Sequence, residues 1–404
     1  MFAIILILIL ITVLVLLLYF NYNKEFFVSD EDPYIIDIAT GANHSVFLNK
    51  YRTLYSCGKN VNGRLGTGNS SSIMLPVPLE NIDRARKIFV GNVNTFFITT
   101  QGVLYATGEN SNGQLGIGTL DNQFTPVPIP FFKSIAIRKV AVGWYHTLFL
   151  SFTNDVYVCG DNRYGQLADG TTTNTIVPIK LGLKCRDIAA GQGHSVFLGM
   201  DKKVYTAGWN WYGQLGNSST RNSNVPFLIE NIPEIEHVHA GMSTTLLITP
   251  NYALYVCGDN TNGQLALQRE ITNQRGFTLL KIENEDIKYV SSGQSHTLFM
   301  TLNGDIYAVG SNSKGQLGIG HNNTIYKPEK ITFFKEPIVK MAAGAVHTVF
   351  LTEKGIVYAT GDNSMGGQLG VNNITDTNKP VLCDIEIEKN KDAITYKMDI
   401  VGFN

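Results

Sequence analysis

Two short signals, each recurring seven times at a fixed offset, constrain this chain more than any other feature. The first is Gly-x-x-His-Ser/Thr followed by an apolar run. It stands at Gly41, Gly143, Gly191, Gly293 and Gly344, with degenerate copies at Gly91 (Asn94 for His) and Gly241 (Thr244 for His). The second is Gly-x-Asn-x-x-Gly-Gln-Leu, starting at Gly58, Gly108, Gly160, Gly208, Gly258, Gly310 and Gly361. Successive starts of the second signal lie 50, 52, 48, 50, 52 and 51 residues apart, and 17 residues separate the two glycines in every copy. Self-similarity at such a period is the mark of a repeat architecture.

Each period reads as β. Residues 147–150 and 156–159 alternate in pattern across a polar turn, which is the hairpin signature. A polar loop after the second signal leads to a Pro-bearing run at Pro76, Pro126, Pro178, Pro226 and Pro328. Proline lacks a donor and belongs on an edge strand or at a strand's start. Four short strands per unit, the last edge-like, describe a propeller blade. The expectation is an all-β, seven-bladed β-propeller with four-stranded blades over residues 34–387. The chain opens on half a unit (residues 34–48) and closes on the other half (356–387). Pairing of the N- and C-terminal strands in one blade is therefore expected to close the ring and remove its open edges.

The run Gly-Glu-Asn-Ser-Asn-Gly-Gln-Leu-Gly-Ile-Gly from Gly108 to Gly118, with its partner Gly-x-x-His-Ser/Thr, resembles the regulator-of-chromosome-condensation repeat. The similarity covers residues 34–387. It implies a seven-bladed propeller whose relatives include an exchange factor for the small GTPase Ran, scaffolds, ubiquitin-ligase appendages and secreted bacterial inhibitors of β-lactamase. Such a fold carries many functions, so activity has to be argued from surface residues.

Residues 1–20 differ in kind. No charge interrupts residues 2–20, and 19 residues at ~1.5 Å rise span roughly 28 Å, near the thickness of a bilayer's hydrocarbon core. No Lys or Arg precedes the run, and bulky Tyr19 and Phe20 stand where a signal peptidase needs small residues. The reading is a signal anchor at 1–20 that places the protein in a membrane as a single-pass chain, with a juxtamembrane linker at 21–33. The propeller's side is undetermined by charge, with the cytosol slightly preferred. Residues 388–404 form a C-terminal tail.

Net charge is −1, from 32 basic and 33 acidic residues, so binding of nucleic acid through its phosphates is not expected. The repeated His44, His146, His194, His296 and His347 fall one per unit, around a ring rather than about one ion, and read as buried imidazoles rather than zinc ligands. Asn60, Asn110, Asn162, Asn210, Asn260, Asn312 and Asn363 read as loop builders. No segment fits a phosphate-binding loop, and the Asp-Asn-x-x-Gly runs at Asp161 and Asp259 lack the Glu of a calcium loop. No metal, cofactor or catalytic residue is assigned, and an enzyme is not expected. Of five cysteines, Cys57, Cys159 and Cys257 occupy one position in separate units and read as small buried thiols. The sequons at Asn43, Asn69, Asn217, Asn322 and Asn373 pull weakly toward an extracytosolic location.

The informative departures from the repeat are aromatic. Trp144 and Tyr145 fill one hairpin signal, Arg163 and Tyr164 follow in the next loop, and Trp209, Trp211 and Tyr212 come in the loop after. All three Trp of the chain fall in these two consecutive units. Trp, Tyr and Arg are enriched at binding hot spots, so the seven residues form the candidate partner-binding set. The expected function is a membrane-anchored interaction scaffold, acting as a monomer on a protein partner. The alternative is a guanine-nucleotide exchange factor for a small GTPase. Against a Ran-directed role stand the missing basic arm and unit lengths that leave no space for an inserted hairpin.

Overall fold

The computed structural model describes residues 33–80, 82–283 and 285–387. Among them the chain forms 27 β-strands and two short 3-10 turns, and every paired strand is antiparallel to its neighbour. The first unit shows the rule: Ile35–Thr40, His44–Asn49, Leu54–Gly58 and Ile73–Pro78 pair in that order into one sheet.

The two sequence signals are the two ends of one hairpin register. His44 pairs Gly58, Asn94 pairs Gly108, His146 pairs Gly160, and the other four units repeat this pairing. That register fixes the 17-residue offset. Gly58 and its six counterparts sit at φ between 102° and 113°, against the backbone of the paired strand, where a Cβ would collide. Glycine meets both demands.

Three expectations are corrected. The strands form six sheets rather than seven: five have four strands, and one has seven. The merger arises because Thr175–Ala190 is one continuous 16-residue strand, pairing Asp155–Gly160 over one part and His194–Gly199 over the other. Elsewhere several loop residues separate the Pro-bearing strand from the next unit, as between Pro78 and Ala85. Here residues 180–184 stay extended, and no loop separates the sheets.

No shared strand joins the termini. The first sheet is complete within Ile35–Pro78, and the last is built from Ile338–Ala343, His347–Thr352, Val357–Gly361 and Thr377–Leu382. The phase of the repeat is the reason, since each sheet starts on the strand before its Gly-x-x-His signal. The first and last sheets instead meet face to face, with Ile38 and Phe47 packed among Val349, Leu351, Val357 and Leu369.

The membrane reading is corrected as well. Among the described residues no helix is long and apolar enough to cross a membrane. The anchor placed at 1–20, all of the linker at 21–33 except Pro33, and the tail at 388–404 lie outside the described residues. The membrane contact and single-pass location are therefore withdrawn.

The core lies between neighbouring sheets. Phe47, Phe97, Phe149, Phe197, Phe299 and Phe350 hold equivalent positions in six units, three residues past the His or its substitute, with Leu247 in the seventh, and all are fully buried. Burial of a side chain this size contributes about 1.5–3 kcal/mol.

Candidate functional site

The Gly-x-Asn loops share one internal frame. In every unit the Asn carboxamide oxygen accepts the N–H of the following Leu, as from Leu115 to Asn110 at 2.9 Å and from Leu317 to Asn312 at 3.0 Å. The same amides donate to the far side of their loop, as Asn110 does to the Thr119 carbonyl at 2.8 Å. All seven are fully buried. They build loops as expected, by stapling the ends together.

A second staple joins five of the seven units to the next, the two exceptions being those with Asn94 and Thr244 in place of His. His146 Nε2 lies 3.0 Å from Ser195 Oγ, and that hydroxyl donates to the Gln166 carbonyl at 2.6 Å. The pattern repeats from His44 to Thr95, His194 to Thr245 and His296 to Thr348. It wraps from His347 back to Ser45, joining the last sheet to the first. Because the hydroxyl spends its proton on the carbonyl, Nε2 donates to it, and burial without a partner at Nδ1 keeps that nitrogen unprotonated and the ring neutral. Burial holds His194 and His347 down at about 3 and His146 and His296 at about 4, and pushes His44 well below its usual value. Burial also raises the thiols of Cys57, Cys159 and Cys257, which are free and point at the same row of carbonyls.

On this frame the structure brings six of the seven predicted residues into two clusters linked by an ion pair. Trp144 and Tyr145 stack at 5.7 Å and 8°. Tyr164 lies 6.0 Å from Trp209, which meets Tyr212 edge-on at 5.5 Å and 82°. Gly193 makes this possible: it holds the position of Tyr145 in the next unit, and Trp209 and Tyr164 lie over the space a side chain would fill. Between the clusters, Arg163 Nε pairs with buried Asp161 at 2.8 Å, leaving 61% of the arginine side chain exposed. Tyr145 is raised by burial and then by nearby Glu109, and Arg163 and Asp161 act on it too. Trp211 stands apart, 73% exposed and in no ring contact among the described residues.

Trp209 also departs from a bond that three other units make. Asp161, Asp259 and Asp362 occupy its position in other units, and each accepts a hydrogen bond from the Gln of its own loop, as from Gln166 Nε2 at 2.9 Å. With Trp209 there, Gln214 Nε2 is buried without a partner. Gln114 Nε2 is unpartnered for a different reason: Glu109 turns to Asn62 and Ser111. A buried donor left unmade costs about 1–3 kcal/mol.

Sequence reasoning missed a group at the axis. The first strand of each unit carries Asp37, Lys87, Lys139, Asp187, His237, Tyr289 or Lys340 at a matching register position, and Lys139 pairs with Asp187 and Lys340 with Asp37. The signal was present as polar residues in otherwise apolar strands, but it lies outside both repeat signals. No group of three or more metal-type ligands occurs among the described residues.

Comparison with known proteins follows the same lines. The RCC1-like domain matches residues 23–230, and the regulator of chromosome condensation (RCC1) repeat matches 303–351, with further repeat matches at 287–316 and 338–366. The ultraviolet-B receptor UVR8 of Arabidopsis thaliana is 31% identical over 354 residues, covering 87% of this chain and 70% of that protein. The probable E3 ubiquitin-protein ligase HERC4 of Homo sapiens is 30% identical, over 88% of this chain but only 29% of that protein. The X-linked retinitis pigmentosa GTPase regulator of Canis lupus familiaris is 35% identical over 142 residues, 14% of its length. Among solved structures, human WBSCR16 aligns with a TM-score of 0.74 over 82% of this chain and 94% of its own. Prp20p of Saccharomyces cerevisiae, described with its binding to Gsp1p and histones, aligns at 0.72 over 87% of each chain. Both are 19% identical and share the fold. Repeat signals, sheet order and relatives agree: the chain belongs to the family of the RCC1-like domain, built from regulator of chromosome condensation (RCC1) repeats.

Proposed function

We propose that this chain is a protein-interaction module whose aromatic face over the third and fourth units docks a protein partner. The observation that carries this reading is Trp209, which stands where other units have a stabilising carboxylate, leaves Gln214 Nε2 unpaired and packs between exposed Tyr164 and half-buried Tyr212. A local rule broken without structural compensation points to selection for something else. Trp211, Tyr164 and the exposed face of Arg163 supply the rigid apolar and cationic contacts that dominate interface energetics. Relatives such as the retinitis pigmentosa GTPase regulator are named as regulators rather than catalysts. The likeness to the HERC4 ligase covers only part of that longer protein.

A photo-crosslinking residue at position 211 tests the reading, with the same residue at position 201 in the hairpin turn as control. The expected result is a discrete protein adduct from position 211 alone, lost when Trp209 is replaced. Equal adducts from both positions would dismiss the face as structural cover. A second reading, exchange of guanine nucleotide on a small GTPase, rests on fold likeness to Prp20p, described as binding Gsp1p. It requires the crosslinked partner to be a GTPase whose bound nucleotide leaves faster with this chain present.

A further inference from the structure

The first strands of the units border an axial cavity of about 290 Å³, lined by small residues such as Gly41, Ala190 and Ala343 together with His239, Tyr289 and Lys340. At one mouth the charges do not balance. Lys139 meets Asp187 at 2.5 Å, and Lys340 meets Asp37 across the seam of the first and last sheets. Lys87 is the third ammonium of this group. It donates to the Arg138 carbonyl at 3.3 Å and lies 5.4 Å from the Phe89 ring centre, and no carboxylate pairs with it among the described residues. Desolvation first, and then repulsion from Lys139, lower its pKa; Asp37 attracts it from a distance, against further repulsion from Lys340 and Arg138.

Two polar rings complete the setting. His239 Nε2 accepts the Ser292 N–H at 3.0 Å, which leaves its imidazole neutral, with its pKa held at about 4 by burial. Tyr289 is 38% exposed, yet its hydroxyl is pushed up to about 12. These agree because its accessible surface opens into the cavity, surrounded by protein. Its hydroxyl makes one long bond, 3.5 Å to the Met341 carbonyl, and can be redirected to a ligand.

We propose that this mouth is a binding site for a small phosphate-bearing anion, held mainly by Lys87, with Lys139, Lys340 and the Tyr289 hydroxyl completing the cage. Three ammonium groups against two carboxylates leave one positive charge unmatched, and a low-dielectric rim strengthens its attraction for an oxyanion. The cavity is near the lower end of small-molecule sites, which favours a compact ligand over a threaded peptide. Of the aromatic face only Trp144 lines this cavity, and the proposal does not rest on it.

The test is calorimetric titration of the full chain with inorganic phosphate against chloride at matched ionic strength. Saturable binding is expected, at least about tenfold weaker in Lys87→Met, which keeps the stem over Phe89, and retained in Lys87→Arg. Lys327→Met, on a Pro-bearing strand away from the axis, should bind as the parent does. Circular dichroism melts confirm that each variant is folded. Absence of saturable heat, equal binding by Lys87→Met, or binding of an aspartate-rich peptide in place of phosphate would each overturn the proposal.

Discussion

The imidazoles staple the units at their most buried points. A histidine whose folded pKa lies below the usual 6.5 binds its proton more readily when unfolded, so its contribution is intact above that pH and is lost as pH falls. Each of the five costs roughly 1.4 kcal/mol per pH unit between 6.5 and its folded value, and stability is only about 5–15 kcal/mol. Acid titration followed by circular dichroism should therefore show cooperative unfolding with a midpoint at about pH 4.5 or higher; a chain still folded at about pH 3 would contradict the neutral-staple account. The loop carboxamides make an independent case. Asn312→Ala removes the acceptor of the Leu317 N–H and the donor to the His321 carbonyl, and should cost about 2–3 kcal/mol in urea unfolding. An unchanged midpoint would mean that water replaces the amide.

Among the strands, Thr175–Ala190 is the exception that joins two units into one sheet. Hydrogen exchange should find the amides of residues 183–185 protected on the scale of sheet interiors, while residues 129–136, at the equivalent place between other units, exchange faster. Matching fast exchange at both places would restore a loop there. The hairpins were legible because their glycines need positive φ and their histidines face those glycines in register, which forces a constant spacing. The unbroken strand was not, since residues 180–184 lie outside both repeat signals and Gly182 carries no side chain to mark a strand face. Terminal pairing was misread for a related reason: the sequence signals mark hairpins, and nothing in them states on which strand a sheet begins. The axial charges escaped notice because Asp37, Lys87 and Lys340 are far apart in sequence and meet only when their strands surround a common axis.

At the scale of the whole molecule, the His-to-hydroxyl chain and the packing of Ile38 and Phe47 against the last sheet unite the two ends of the chain without a shared strand. A rigid body of this kind leaves its loops to vary, and the aromatic cluster is the largest such variation. The residues of that cluster were legible individually; their contact through Gly193, and the unpaired Gln214 beneath them, required the fold. The central claim is that Trp209 is kept for binding at the expense of its own loop. The direct measurement is Trp209→Asp, read for thermal midpoint and for capture of the partner crosslinked through position 211. The account predicts a midpoint equal to or above the parent's, as the new carboxylate accepts from Gln214, together with loss of the partner. A lowered midpoint with the partner still bound would show that Trp209 serves the fold, and would contradict the account.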